Sequence, residues 1–434
     1  MSSRSHHLAL AVASAPAADE PRQALLAHYR QVRSTTEALA APLSAEDQCL
    51  QSMPEASPTK WHLAHSTWFF ETMALAAFVP GYRPWDERFH FLFNSYYERL
   101  GPRQPRPRRG MITRPGLEEV LRYRSGIDQA MARLIMDGSE SIWAGVAAMI
   151  TLGLHHEQQH QELILTDIKH ALSCNPYDPV YRPAAARPML ASSLSWCDFP
   201  GGQVQVGHTG PGFAFDNESP RHPVLLRPYQ IANRLSTCGE YLAFMADDGY
   251  RRPEFWLFDG WNMAAEQGWQ APLYWRREDG GQWSQFTLHG RRAVDPAEPV
   301  CHVSLYEAAA FAAWSGARLP TECEWEAAVV EHPVSGHFAD ADPLHPQAAP
   351  AGPGLQQAYG DAWAWTRSAY DPYPGFRPLP GALGEYNGKF MVGQLVLRGG
   401  SCASPAGHLR ATYRNFFAPG ARWQFSGVRL ARDP

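Results

Sequence analysis

The chain is missing most of the patterns that identify a protein's class at a glance. No apolar run approaches the ~20 residues that a membrane-spanning helix needs, so no membrane partner is expected. The seven cysteines, Cys49, Cys174, Cys197, Cys238, Cys301, Cys323 and Cys402, are odd in number, scattered and without a C-x-x-C pair. That argues against a zinc ribbon or a disulfide scaffold and suits a reducing, cytoplasmic setting. There is no Walker loop and no dinucleotide fingerprint, since Gly210-Pro211-Gly212 lacks the strand–turn–helix setting. No repeat recurs at a 20–50 residue period. Positive charge is not in excess: 38 Lys and Arg against 43 Asp and Glu give a net charge of −5, which argues against a nucleic-acid partner.

What is present points to two domains, because 434 residues exceed what one core usually supports. Residues 1–20 are Ala/Ser-rich and read as a disordered tail rather than a signal peptide. Residues 21–174 read as four helices. Leu25, Leu26, Tyr29, Val32 and Leu39 give the first its three- and four-residue steps. A second runs from Trp61 to about Phe78, after Ser57-Pro58 in helix-start position. A third spans Arg114 to about Asp137, and a fourth Ser141 to Leu172. Residues 175–195, with Pro176, Pro179, Pro183 and Pro188, form a linker. In 196–434 the texture changes to Gly/Pro/Trp turns between short strands, such as Gln203–Gly207 and Pro223–Leu226, with an amphipathic helix at Ser304–Ser315. The fold class is α+β: a four-helix bundle with a long crossover, then a loop-rich mixed domain.

The fourth helix holds the chemistry, in Leu154-His155-His156-Glu157-Gln158-Gln159-His160. Residues four apart share a helix face, with Cβ atoms about 5–6 Å apart, so His156 and His160 can reach one metal ion. Burying so many polar side chains is costly unless something satisfies them. The same run matches the H-E-x-x-H of zinc metallopeptidases, in which Glu157 would be the general base. A third ligand could come from His62 or His65, three apart on the second helix. Between the second and third helices, 80–116 is too long for a plain connector. It carries Tyr96-Tyr97 and six arginines in sixteen residues (Arg99 to Arg114), which can grip a carboxylate through paired N–H donors.

Leu63-Ala64-His65 and His156-Glu157-Gln158-Gln159-His160 together resemble the metal-binding bundle of the DinB superfamily. Phe199-Pro200-Gly201-Gly202, Phe215-Asp216-Asn217-Glu218-Ser219-Pro220-Arg221-His222, Arg318-Leu319-Pro320-Thr321-Glu322-Cys323-Glu324-Trp325-Glu326 and Leu397-Arg398-Gly399-Gly400-Ser401 resemble a formylglycine-generating-enzyme type domain with a C-type-lectin-like core. In this order, and with Arg410-Ala411-Thr412-Tyr413-Arg414-Asn415-Phe416-Phe417, the chain is similar to the non-haem iron sulfoxide synthases of ergothioneine biosynthesis over roughly 25–432.

The resemblance implies Fe(II)- and O2-dependent joining of a thiol sulfur to the imidazole C2 of hercynine (Nα-trimethylhistidine), giving a sulfoxide. It implies His65, His156 and His160 as iron ligands, with His62 and His155 outside the ligand set. Gln159 and Asn415 are implied to hold the hercynine ammonium-carboxylate end, and Tyr96 and Tyr97 to lie near the iron as in relatives that use free cysteine. Phe416, Tyr413 and nearby Trp residues offer aromatic faces to the quaternary ammonium. Arg103 or Arg106 is the expected partner of the thiol's carboxylate. Two positions depart from the family pattern: Ala364 replaces a glutamate in Trp363-Ala364-Trp365-Thr366, and Phe417 stands where users of γ-glutamylcysteine have an acid. Cysteine is therefore the favoured donor. Selenoneine-type C–Se synthesis with a selenosugar is the near alternative; a zinc metallopeptidase or a non-catalytic binding module are the distant ones. Formylglycine generation is disfavoured because Cys402 has no obvious companion.

Overall fold

The computed structural model describes residues 20–184, 190 and 192–434, so the expected tail lies almost wholly outside the described residues. The helices of the first half are α1 (Glu20–Ala40), α2 (Thr59–Phe70), α3 (Glu87–Phe93), α4 (Leu117–Asp137) and α5 (Glu140–Ser173). α2 runs on through one π-helical turn, Glu71–Leu75, to Phe78. α3 was not expected from the sequence. It starts at Asp86, whose carboxylate accepts the Arg88 N–H in the N-cap manner, and buries Phe89 and Phe93. Residues 80–116 are thus a short helix and two 3-10 turns, not a plain connector.

Helices α1, α2, α4 and α5 pack around a core that includes Tyr29, Trp68, Phe70, Tyr123, Met131 and Ile150. Gly153 lets α5 approach α2: a Cβ there would stand 2.5 Å from Phe70 Cε1 and 3.1 Å from Phe69 Cε1. The close approach comes one turn before His156 and brings the two histidine-bearing faces together. No helix among the described residues is long and apolar enough to cross a membrane.

The second half is built of short strands and helices around Trp325, Trp363, Trp365, Phe244 and Phe311. Its four-stranded sheet orders Asn415–Phe417, Leu395–Arg398, Trp363–Ala369 and Ser426–Gly427, the last pair parallel. The expected strands Gln203–Gly207 and Pro223–Leu226 appear as Gly202–Val206 and His222–Leu226, paired with each other. The expected amphipathic helix is Leu305–Trp314, capped by Ser304 and Glu307 in a reciprocal box. Helices Cys238–Ala246, Phe258–Gln267 and Glu322–Val329 were not singled out in the sequence.

A third core joins the halves. Ile164, Leu165, Ile168 and Leu172 of α5 pack with Phe286, Leu288, Leu344 and Phe425 of the second half. Ala364 lies in this core, and the same stretch of α5 buries Lys169, whose ammonium donates to His302 Nε2 at 2.6 Å. Glu162 adds polar ties across the seam, accepting from Trp363 Nε1 and Ser401 Oγ at 2.7 Å each. At 34 residues, α5 is about 51 Å long, and it belongs to both halves.

Candidate metal centre and cavity

α2 and α5 deliver three imidazoles to one point. His65, His156 and His160 each offer a nitrogen within 4.8 Å of the others, and all three are buried. His65 Nδ1 lies 2.6 Å from the Phe93 carbonyl at the end of α3. A carbonyl only accepts, so Nδ1 carries the proton and Nε2 is bare. That bare nitrogen faces His156 Nε2 at 3.3 Å. Trp61 stacks on His65 at 4.5 Å and Phe69 on His156 at 4.5 Å, fixing both rings.

Burial depresses all three imidazoles. It brings His156 down to about 4. His65 and His160 fall well below the usual range, burial acting first and neighbouring imidazoles adding to it. Neutral imidazole is the form that binds metal. Three neutral donors in a buried pocket fit a first-row divalent ion, and three protein ligands leave coordination positions open. His156 and His160 line a cavity of about 310 Å³, so the open side faces it.

His62 does not join the triad. Its Nδ1 meets His160 Nδ1 at 2.8 Å, and its Nε2 meets Asp167 Oδ2 at 3.1 Å. His155 points to the seam, stacked on Phe213 at 4.1 Å with Nδ1 3.1 Å from His408 Nδ1.

Glu157 faces away from the cavity. One residue along a helix turns the side chain by about 100°, into the bundle core. There Glu157 accepts from Arg33 (2.9 Å), Arg124 (2.6 Å) and Thr36 (2.7 Å). Burial pushes its carboxyl up, but Arg124 and Arg33 outweigh this and hold it at about 2. A carboxylate locked in this way cannot serve as a general base at the triad, which removes the metallopeptidase reading.

The cavity is walled by both halves of the chain. Gln159 donates from Nε2 to the Tyr413 hydroxyl at 2.8 Å and accepts from the Tyr386 hydroxyl at 2.8 Å. Asn415 and Phe416 line it, with Phe416 stacked on Tyr370 at 4.0 Å. Phe417 and Trp423 meet edge to face at 6.0 Å and make another wall. Tyr96 lines the cavity, stacked with Tyr386 at 5.3 Å; its hydroxyl is buried without a hydrogen-bond partner. Tyr97 lies deeper, against Trp68, and borders a small void that His156 also lines.

The arginines divide. Arg103 pairs with Glu98 at the surface, at 2.6 Å, and does not line the cavity. Arg106 lines it and donates to the Glu55 carbonyl. Arg109 is the buried one: it lies 3.5 Å over the Trp61 ring and donates to Ser57 Oγ (3.0 Å) and Ser95 Oγ (3.1 Å), with Nε unpartnered. Burial first, then Arg106 and Arg103, pushes its guanidinium down to about 8. Arginine holds its proton tenaciously, so the same pressure acts as a demand for an anion.

Comparison with known proteins accounts for both halves. Residues 28–164 match the DinB superfamily, and 195–434 match the sulfatase-modifying factor enzyme 1-like domain. Over 418 residues the chain is 34% identical to a protein named hercynine oxygenase from Mycolicibacterium thermoresistibile, covering 88% of each chain. The chain belongs to the hercynine oxygenase family. A second family member, the hercynine oxygenase of Mycobacterium tuberculosis, is 33% identical over 443 residues, 94% of this chain and 98% of that one. Ergothioneine biosynthesis protein 1 of Schizosaccharomyces pombe is 26% identical over 234 residues, 51% of this chain and 28% of that one. The two-domain α+β architecture is that of the family.

Reading the sequence did not single out two cavity residues, Arg109 and Tyr386. Arg109 sat among five other arginines, and only its burial sets it apart. Tyr386 carried no spacing signal, because its partner Gln159 lies 227 residues away. Tyr413 was expected as an aromatic face, but not its bond to Gln159 across 254 residues.

Proposed function

We propose that this chain catalyses Fe(II)- and O2-dependent C–S bond formation between hercynine C2 and a small thiol, cysteine first, giving a sulfoxide. The reaction balances: the C2–H and S–H protons leave with one oxygen atom of O2 as water, and the other oxygen becomes the sulfoxide oxygen. The observation that carries the reading is the buried, neutral His65–His156–His160 triad opening onto a cavity that both domains of a hercynine oxygenase-type chain enclose. An Fe(II) held there would supply the redox centre at which thiol sulfur and O2 meet.

The chain's own side chains have assignable work. The Gln159 amide keeps one N–H and one oxygen lone pair beyond its two tyrosine contacts, and Asn415 lies in the same wall; both suit the polar end of hercynine. Phe416 and its aromatic neighbours suit a trimethylammonium group, which offers no N–H to donate. Arg109 and Arg106 suit the carboxylate of an amino-acid thiol, in place of the expected Arg103. The apolar Phe417–Trp423 wall offers no anion to a γ-glutamyl amine. One of Tyr96, whose buried hydroxyl has no hydrogen-bond partner, and its neighbour Tyr97 supplies the proton or electron during coupling. Burial raises both phenols, so each holds its proton at neutral pH.

The test is mass spectrometry of products from the Fe(II)-loaded enzyme offered hercynine with cysteine, γ-glutamylcysteine and a selenosugar in competition. The cysteine-derived sulfoxide should dominate. A selenosugar adduct as main product would move the reading to C–Se synthesis, and no hercynine adduct at all would end it.

A further inference from the structure

Two histidines of this chain meet through their Nδ1 atoms, and an Nδ1···Nδ1 contact works only if one nitrogen carries a proton and the other does not. His62 Nδ1 and His160 Nδ1 are 2.8 Å apart and both rings are buried. The far side of His62 settles the direction. Its Nε2 lies 3.1 Å from Asp167 Oδ2, and the same oxygen accepts the Ser57 backbone N–H at 2.8 Å. An ionised carboxylate only accepts, so His62 carries its proton on Nε2. His62 Nδ1 is then the acceptor, and His160 must donate from Nδ1. That leaves His160 with a bare Nε2, free to join the triad.

We infer that His62 is a positioning residue: Asp167 and His62 together lock His160 in the Nδ1–H tautomer, with Nε2 presented to the metal centre. This rests on the proposed metal-binding role of the triad. His65 is locked in the same tautomer by a carbonyl, a common device in metal sites. His160 is locked instead by a second imidazole, itself fixed by a carboxylate. Asp167 lies on the His160 face of α5, seven residues on, and Ser57 enters α2 two residues before its first turn, so both helices contribute to the lock. The roles of His62 and His65 thereby separate: the two residues share a face of α2, but one binds and the other orients.

The test uses the full chain and does not depend on turnover. Metal-free protein labelled with 15N-histidine should show His160 as the Nδ1–H tautomer; an Nε2–H signal for His160 would overturn the inference. Co(II) affinity, read by competition with a chromogenic chelator, should fall about 10–100-fold in His62→Phe, which keeps a ring but removes the acceptor. In His62→Asn, whose side-chain oxygen stands near the position of Nδ1, most of the affinity should return. His62→Phe binding Co(II) as tightly as the unaltered chain would reject the role. Should His62→Phe fail to fold, the tautomer measurement on the unaltered chain still decides. Loss of Co(II) binding in His65→Ala with an intact His160 tautomer would leave this inference standing; no Co(II) binding by the unaltered chain would fell the metal reading itself.

Discussion

Gln159, on the metal-bearing helix, donates from Nε2 to the hydroxyl of Tyr413, 254 residues later in the chain, at 2.8 Å. Tyr386 donates to the other end of the same amide, so the second domain holds the Gln159 side chain at both ends.

This makes the tyrosines part of substrate recognition. Gln159→Ala and Asn415→Ala should weaken hercynine binding more than thiol binding, each by about 1.5–3 kcal/mol for a lost contact to a charged group. Tyr413→Phe should do the same to a smaller degree, by releasing the amide. Calorimetric titration with hercynine checks this; unchanged affinity in all three would show that the second domain does not form the hercynine wall.

Removing any ligand should abolish metal binding. His65→Ala, His156→Ala and His160→Ala should each lose Fe(II) in elemental analysis, whereas His155→Ala, stacked on Phe213 at the seam, should keep it. Retention of iron in His65→Ala together with its loss in His155→Ala would mean the ligand set is wrong.

Glu157→Gln should cost stability and spare chemistry. The substitution leaves Arg33 and Arg124 buried around an uncharged amide, and breaking such a pair typically costs about 3–5 kcal/mol. The sign in pH follows. With its folded-state pKa held at about 2, below the ordinary 4.5, Glu157 contributes stability that is whole above pH 4.5 and lost as pH falls toward 2. Denaturant melts at pH 7 and pH 3 should show the gap between the two proteins narrowing on acidification. A stable but inactive, metal-loaded variant would contradict the structural role.

Gly153→Ala places a methyl 2.5 Å from Phe70 and 3.1 Å from Phe69, the ring that stacks on His156. Helices α2 and α5 must part or the phenylalanines must turn, and overpacking of this kind costs about 1–3 kcal/mol. A weaker metal affinity should accompany the lower melting temperature. An unchanged Co(II) affinity would show that the helix spacing does not set the triad.

Arg109→Gln should raise the KM for cysteine about tenfold or more, the worth of one charge-assisted contact, and leave hercynine affinity near its starting value. Arg103→Gln, altering a surface pair with Glu98, should change neither. The tyrosines are separated by product ratio. Tyr96→Phe or Tyr97→Phe should shift oxidation from sulfoxide toward sulfinic acid with O2 still consumed; sulfoxide at an unchanged rate in both would make the hydroxyls dispensable.

The sequence carried the His156–His160 pair because helical periodicity is local and the two are one turn apart. Spacing left His62 and His65 both open as the third member, and only the resemblance of Leu63-Ala64-His65 pointed to His65. The sequence carried the strand–turn texture of the second half because that pattern is local too. It could not separate Arg109 from Arg103 or Arg106, since burial and the stacking on Trp61 are long-range outcomes. Nor could it show which way Glu157 points, because that depends on Arg33 and Arg124 arriving from two other helices. Helix α3 was hidden inside a Pro- and Arg-rich stretch whose composition reads as loop.

The helix α5 sets a rule for anyone recombining this protein with its relatives. The Pro-rich segment near 175–195 looks like the natural place to cut, but the last turns of α5, from Ile164 to Leu172, are core to the second half. A chimera spliced in that segment would marry one parent's helix end to another parent's core packing around Phe286 and Phe425. The transferable unit begins upstream of Leu163, so a compatible swap must carry the end of the helix along with the domain that encloses it.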